Sequence, residues 1–187
     1  YCIVPYVRGR EKSRSASLIL EEVRALVAAG YKEITLLGQN VNSYRDGEID
    51  FPALLDMVAS VEGKFRVRFM TSHPKDFSAA LVAVMKKHEK ICNLLHLPAQ
   101  SGASRILSLM NRRYTREQYL EKVALLKKEI PEAELTTDLI VAFPTETEEE
   151  FEETLSLVND ADFSSAFTFI YSPRKGTKAA EMEGQIS

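Results

Sequence analysis

Hydrophobic positions along this chain switch repeatedly between two spacings. Ile19, Val23, Leu26 and Val27 recur at helical intervals behind Ser15 and Ser17, either of which suits the cap, and Gly30 supplies a stop. The apolar run Ile34-Thr35-Leu36-Leu37 reads as a strand and ends in Gly38-Gln39-Asn40-Val41-Asn42-Ser43. Pro52 fits the first turn of a second helix, which Leu54, Leu55 and Val58 carry to Gly63. Phe65-Arg66-Val67-Arg68-Phe69 alternates with period two and runs into Thr71-Ser72-His73-Pro74. The cycle then repeats. A helix over 78–87 precedes Leu94-Leu95-His96-Leu97 and the loop Pro98-Ala99-Gln100-Ser101-Gly102. Thr115 and Gln118 form a capping box for a helix that stops near Pro131, and a strand covers 135–143. Thr147 and Glu150 cap the next helix, and a last strand over 166–171 ends in Ser172-Pro173-Arg174-Lys175-Gly176-Thr177.

Helices alternating with short apolar strands predict an α/β fold with a parallel sheet, either doubly wound or a (βα) barrel. No strand opens onto the G-x-G-x-x-G of a dinucleotide fold. No linker rich in Pro, Gly or Ser divides the chain, so one domain over 1–187 is expected. The pattern is helix then strand, five times over. A βα unit needs a strand before its loop, which places a sixth strand upstream of Tyr1.

Composition narrows the classes. At 187 residues and 45% apolar, the chain can bury a substantial core. A balance of 24 basic and 27 acidic side chains leaves a net charge of −3, so nucleic acid would be met through a local patch or another domain. Two cysteines, Cys2 and Cys92, make no disulfide scaffold, and no apolar run approaches the roughly 20 residues that span a bilayer. A cytoplasmic protein is expected.

Active sites of parallel barrels form where strands end. Those positions here are Gln39 and Asn40, Ser72 and His73, Gln100 and Ser101, Asp138, and Ser172 with Arg174. Amide, hydroxyl and charged groups on one rim suit a polar small molecule such as an amino acid or nucleoside. None of the histidines His73, His88 and His96 pairs with another at helical spacing, which argues against a zinc site of the HExxH sort. No nucleophile elbow or phosphate-binding GxxxxGK[ST] loop occurs. Cys2 offers a soft thiolate ligand, although a lone cysteine is more often a small buried hydrophobe and one thiolate cannot hold a cluster.

The opening run, Cys2-Ile3-Val4-Pro5-Tyr6-Val7-Arg8-Gly9 through Ser13-Arg14, resembles the end of the CxxxCxxC loop of radical S-adenosylmethionine (SAM) enzymes. The segments Gly38-Gln39-Asn40-Val41-Asn42-Ser43-Tyr44, Thr71-Ser72-His73-Pro74, Leu97-Pro98-Ala99-Gln100-Ser101-Gly102, Thr137-Asp138-Leu139-Ile140 and Tyr171-Ser172-Pro173-Arg174 resemble the MiaB-type tRNA methylthiotransferases of that superfamily. The resemblance covers essentially the whole chain. It implies a partial TIM-type (βα)6 barrel whose first strand lies outside this chain, preceded by a cluster domain and followed by a TRAM domain. It implies two 4Fe-4S clusters per full-length chain and SAM, cleaved to a radical that activates C2 of N6-isopentenyladenosine beside the anticodon.

By the same resemblance Cys2 is the third cluster ligand. Gln39 and Asn40 meet the SAM amino group, while Arg14, Gln100, Ser101 and Asp138 are weaker candidates for holding SAM. Arg174 faces SAM or RNA, and Arg8, Arg10, Lys12 and Arg14 contact phosphates. A tRNA and an electron-donor protein are the implied partners, with no membrane. With two cluster ligands upstream, the chain alone is expected to be inactive and to bind SAM weakly. Ala142 and Thr145 stand where the family commonly has glycine, and Lys175 and Lys178 where it has proline. Two alternatives are a methylthiotransferase for another tRNA base or a ribosomal protein, and a non-catalytic RNA-binding barrel.

Overall fold

A computed structural model describes residues 1–9, 11–70 and 72–186. In chain order the elements are α1 (Val4–Arg8), α2 (Ala16–Ala28), β1 (Glu33–Leu36), β2 (Arg45–Asp46), β3 (Ile49–Asp50), α3 (Phe51–Ala59), β4 (Arg66–Phe69), α4 (Ala79–Lys87), β5 (Leu94–His96), α5 (Ser104–Leu109), α6 (Arg116–Glu129), β6 (Glu134–Val141), α7 (Glu148–Ala161) and β7 (Ser165–Ile170). They fall into two compact units, one of Lys12–Leu97 with Ala124–Glu134, the other of Tyr1–Glu11, Pro98–Val123 and Leu135–Ser187.

In the first unit β1 and β4 pair in parallel, Ile34 opposite Val67 and Leu36 opposite Phe69. Ile91 bridges Val67, and the Ser72 amide donates to the His96 carbonyl at 3.3 Å, which ties the exit of β4 to β5. Val67 and Leu95 are fully buried, as are Leu55 and Val58 of α3 and Leu81 of α4. Each such aliphatic side chain contributes about 1.5–3 kcal/mol relative to exposure. The Phe51 ring of α3 meets Phe69 of β4 edge-on at 5.3 Å. Asp56 of α3 accepts from Lys87 at 2.6 Å and lies 2.6 Å from the His88 ring, and the two contacts hold its carboxyl below the ordinary aspartate range.

The helix over 16–28 forms, but neither predicted serine caps it. Ser15 occupies the cap position with its hydroxyl turned to Ser17, and the Ala16 amide donates instead to the Asp46 carboxylate at 2.8 Å. Asp46 lies on the β2–β3 hairpin, an element that the hydrophobic pattern leaves as loop. A carboxylate at a helix N-terminus is favourable wherever in the sequence it comes from.

In the second unit β6 and β7 pair in parallel from Thr136 opposite Ser165 to Val141 opposite Ile170, with α7 as the crossover. Both predicted capping boxes are present, Thr115 with Gln118 and Thr147 with Glu150. Arg105 of α5 makes a two-pronged pair with Glu150, each N–O distance 2.6 Å, and holds that carboxyl below its ordinary range.

Three further elements depart from the sequence reading. The opening stretch, read as loop, contains α1, for which Pro5 in the first turn is preorganised. The short helix α5 escaped notice because six residues span too few turns to show periodicity. β6 stops at Val141 rather than Phe143, because Ala142 turns left-handed with φ 56°. Such a backbone costs an L-residue about 1–2 kcal/mol, against the roughly 0.5–1 kcal/mol of extra entropy that glycine loses on folding. Ala142→Gly is therefore expected to raise stability by about 0.5–1 kcal/mol, read as a higher urea midpoint at unchanged slope.

Candidate functional site

In the first unit the exits of β1 and β4 are laced together by side-chain amides. Asn42, 8% exposed, accepts the His73 amide hydrogen at 2.9 Å and donates to the His73 carbonyl at 3.2 Å. One carboxamide thus pairs both backbone groups of one residue, as a neighbouring strand would. Asn40 accepts a second, longer bond from the same His73 amide, 3.2 Å, and donates to Asp76 at 2.7 Å. Ser43 closes the turn by donating to the Asn40 carbonyl at 2.8 Å. The His73 Nδ1 accepts from the Lys75 amide at 3.0 Å, so a neutral ring carries its proton on Nε2.

The amide of Asn40 is therefore engaged in building the loop, while Gln39 beside it is exposed. Arg14 pairs with Glu22 at 2.8 Å on the exposed flank of α2, and its carbonyl accepts the Tyr44 hydroxyl at 2.8 Å. An exposed pair of this kind contributes at most about 1 kcal/mol. Lys12 is exposed as well. Asn42 is the positioning residue that the sequence reading passed over. Asn42→Ala removes two half-buried bonds to the His73 backbone, for an expected loss of about 1–2 kcal/mol in urea unfolding.

In the second unit Gln100 pairs alongside β6: its amide donates to the Asp138 carbonyl at 2.9 Å and its carbonyl accepts from the Ile140 amide at 2.8 Å. It does so with φ 71°, and its side chain, 5% exposed, accepts the Tyr1 hydroxyl at 2.9 Å. Arg112 donates to the same hydroxyl at 2.7 Å and lies 5.7 Å from the Tyr1 ring centre. The ring also meets Phe143 edge-on at 6.3 Å. Burial pushes the Tyr1 phenol above its ordinary value, against the Arg112 guanidinium, and the nearby Asp138 carboxylate adds to the rise. Tyr1, Gln100 and Asp138 are thus brought together, and Tyr1 fixes the backbone leading into the exposed Cys2.

Ser101 takes another role. Its hydroxyl is 1% exposed, accepts the Ala103 amide at 3.1 Å and lies 3.3 Å from the Thr154 hydroxyl. It joins the loop to α7. Arg174 is exposed, its carbonyl taking the Thr177 amide and hydroxyl. Arg10 and Thr71 lie outside the described residues, as does the Arg8 side chain. Among the described residues no three His, Cys, Asp or Glu side chains gather as a metal site, and no helix is long and apolar enough to cross a membrane. Tyr1 and Arg112 were missed by sequence reasoning; an aromatic residue next to the candidate ligand was the available signal.

Comparison with known proteins places this geometry. The tRNA-2-methylthio-N(6)-dimethylallyladenosine synthase of Clostridium tetani is 57% identical over 100% of this chain and 42% of its own length. The synthases of that name from Thermodesulfovibrio yellowstonii and Moorella thermoacetica are 52% and 58% identical over 100% of this chain and 43% of theirs. The chain thus spans less than half the length of the curated relatives it matches. Among solved structures, coproporphyrinogen III oxidase (HemN) from Escherichia coli, a radical SAM enzyme, superposes with a TM-score of 0.63 at 17% identity, covering 89% of this chain and 39% of that one. The cobalamin-dependent enzyme OxsB, with aqua-cobalamin and S-adenosylmethionine bound, gives 0.64 at 12% identity, covering 89% and 24%. At those identities the likeness shows the fold, the α/β partial barrel of radical SAM enzymes. The profile of the Radical SAM superfamily matches residues 1–158, and the chain belongs to that superfamily.

Proposed function

We propose that this chain is the catalytic core of a tRNA methylthiotransferase that adds a methylthio group to C2 of N6-dimethylallyladenosine, using SAM and 4Fe-4S clusters. The observation that carries this reading is identity of 52–58% along the whole chain to synthases named for that product. The loops that approach a ligand are within the matched stretch, not only the core.

The residues present fit such a centre in part. Cys2 is an exposed thiol on a segment anchored by its neighbour Tyr1, as a thiolate ligand to one iron needs to be. One thiolate does not hold a cluster, so these residues alone do not make the site. When bound in the whole protein, cluster and SAM supply one-electron reductive chemistry.

The chain's own residues contribute placement. Arg112 and Gln100 hold Tyr1 from two sides and so orient the backbone at Cys2. Gln39 offers an exposed amide to the SAM amino group, and Asp138 and Arg174 are available to polar groups of SAM or RNA. Asn40 and Ser101 shape the loops from within. An electron-donor protein, a tRNA bound largely by other parts of the enzyme, a single functional core over 1–187 and a cytoplasmic location belong to the same proposal.

The test uses the full-length protein, reconstituted anaerobically with iron and sulfide. It is supplied with SAM, a reductant and tRNA carrying N6-dimethylallyladenosine. Release of 5′-deoxyadenosine together with the 2-methylthio nucleoside is expected by mass spectrometry. Absence of both rejects radical chemistry, and 5′-deoxyadenosine without a methylthio nucleoside rejects the substrate.

A further inference from the structure

The strand β7 carries an aromatic wall that the fold leaves uncovered. Successive residues of β6 alternate in burial: Leu135, Thr137 and Leu139 are buried, while Thr136, Asp138 and Ile140 are half-buried. The buried set faces the helices, since Thr137 meets Tyr119 of α6. In a parallel pair, residues in register share a face. Phe167 stands opposite Asp138 and Phe169 opposite Ile140, so both rings lie on the face turned away from the helices. They are 61% and 53% exposed.

We infer that Phe167 and Phe169 form the wall that receives the dimethylallyl-bearing adenine, and that they set the preference for the alkylated base. This rests on the function proposed above. Two rings at i and i+2 stand about 6.6 Å apart along a strand, enough for a base to meet one and its five-carbon substituent the other. A purine offers a π face to an aromatic ring, and the dimethylallyl group is an apolar body that gains by leaving water.

The polar neighbour favours this occupant over a covering protein segment. A half-buried Asp138 carboxylate sits on the same face, in register with Phe167. A carboxylate accepts several hydrogen bonds, so it can serve a further donor beside its present partner. An alkylated adenosine brings apolar surface and N–H or ribose O–H donors together. An apolar covering segment would leave the rest of that carboxylate's acceptor capacity unmet, and burying it so has a cost.

The experiment compares the full-length wild type with Phe169→Ala, Phe167→Ala and the milder Phe169→Leu. The substrates are tRNA carrying dimethylallyladenosine and the same tRNA with plain adenosine. Loss of one stacking ring is expected to lower the kcat/KM ratio of alkylated over plain RNA by about 10- to 100-fold in the alanine variants, less in Phe169→Leu, mainly through KM. An unchanged ratio overturns the inference. So does a rise in KM for SAM equal to that for RNA, which would assign the wall to SAM. A fall of several degrees in Tm without RNA, at an unchanged ratio, would assign it to another part of the protein and also overturns it. A wild type that forms no methylthio nucleoside overturns the functional reading and this inference together; an active wild type with unmoved variants overturns the inference alone.

Discussion

Gly102→Ala is expected to destabilise the chain by about 3–5 kcal/mol. A methyl group built there would lie 2.3 Å from the Glu153 carbonyl oxygen and 2.5 Å from the Thr154 Cα. Both are backbone atoms of α7, so no side chain can rotate aside and the helix itself must retreat. Overpacking of this kind costs about 1–3 kcal/mol before any bond is lost. The bonds at risk are several: the Gly102 amide donates to the Thr154 hydroxyl at 2.9 Å, and its carbonyl accepts from Arg116 at 3.4 Å. Arg116 in turn holds α7 through the Glu153 carbonyl, Ser156 at 2.9 Å and Asp160 at 2.5 Å. Each buried hydrogen bond lost adds about 1 kcal/mol. Urea unfolding at constant slope measures the sum, and a loss below about 1 kcal/mol would mean that α7 does not pass this close. The loop concerned also carries Gln100, so even folded protein is expected to place that amide badly.

Cys2→Ala is expected to have the opposite profile, a large functional loss at little structural cost. The Cys2 thiol is exposed, so its removal should change stability by no more than about 0.5 kcal/mol. In the full-length enzyme, groups that merely orient metal ligands are worth about 10–100-fold each, and a ligand more, so product formation should fall by about 1,000-fold or more with loss of iron. Cys2→Ser should not rescue it, because a hard hydroxyl replaces a soft thiolate. The control is Cys92→Ala, the other free cysteine, at a half-buried position next to β5. Activity surviving Cys2→Ala would remove Cys2 from the centre.

Much of the architecture was legible because local and global preferences agree. The five strands of the βα repeat and both capping boxes stand where period and cap chemistry predict. What escaped has a common cause. Asp46 capping α2 and Asn42 clamping His73 act across about 30 residues of chain, and no local pattern marks such pairs. Gly102 reads as an ordinary loop glycine until α7 is laid against it.

At the site, residue type located the loops but not the duty of each side chain. Asn40 and Ser101 are polar at strand exits, yet both turn inward to hold the loops, while Tyr1, next to Cys2, and Arg112, far from it in sequence, anchor the segment bearing Cys2. Ala142 and Thr145 both adopt positive φ, 56° and 69°, which gives the family's preference for glycine there a backbone cause. The chain keeps the conformation at the expense of some strain.

The most direct test of the central claim is the nucleoside mass spectrum of tRNA from a strain lacking the gene that encodes this chain. Dimethylallyladenosine should accumulate without its 2-methylthio form, and the full-length gene should restore the modification while its Cys2→Ala variant does not. An unchanged level of the 2-methylthio nucleoside in the deletion strain would contradict the account.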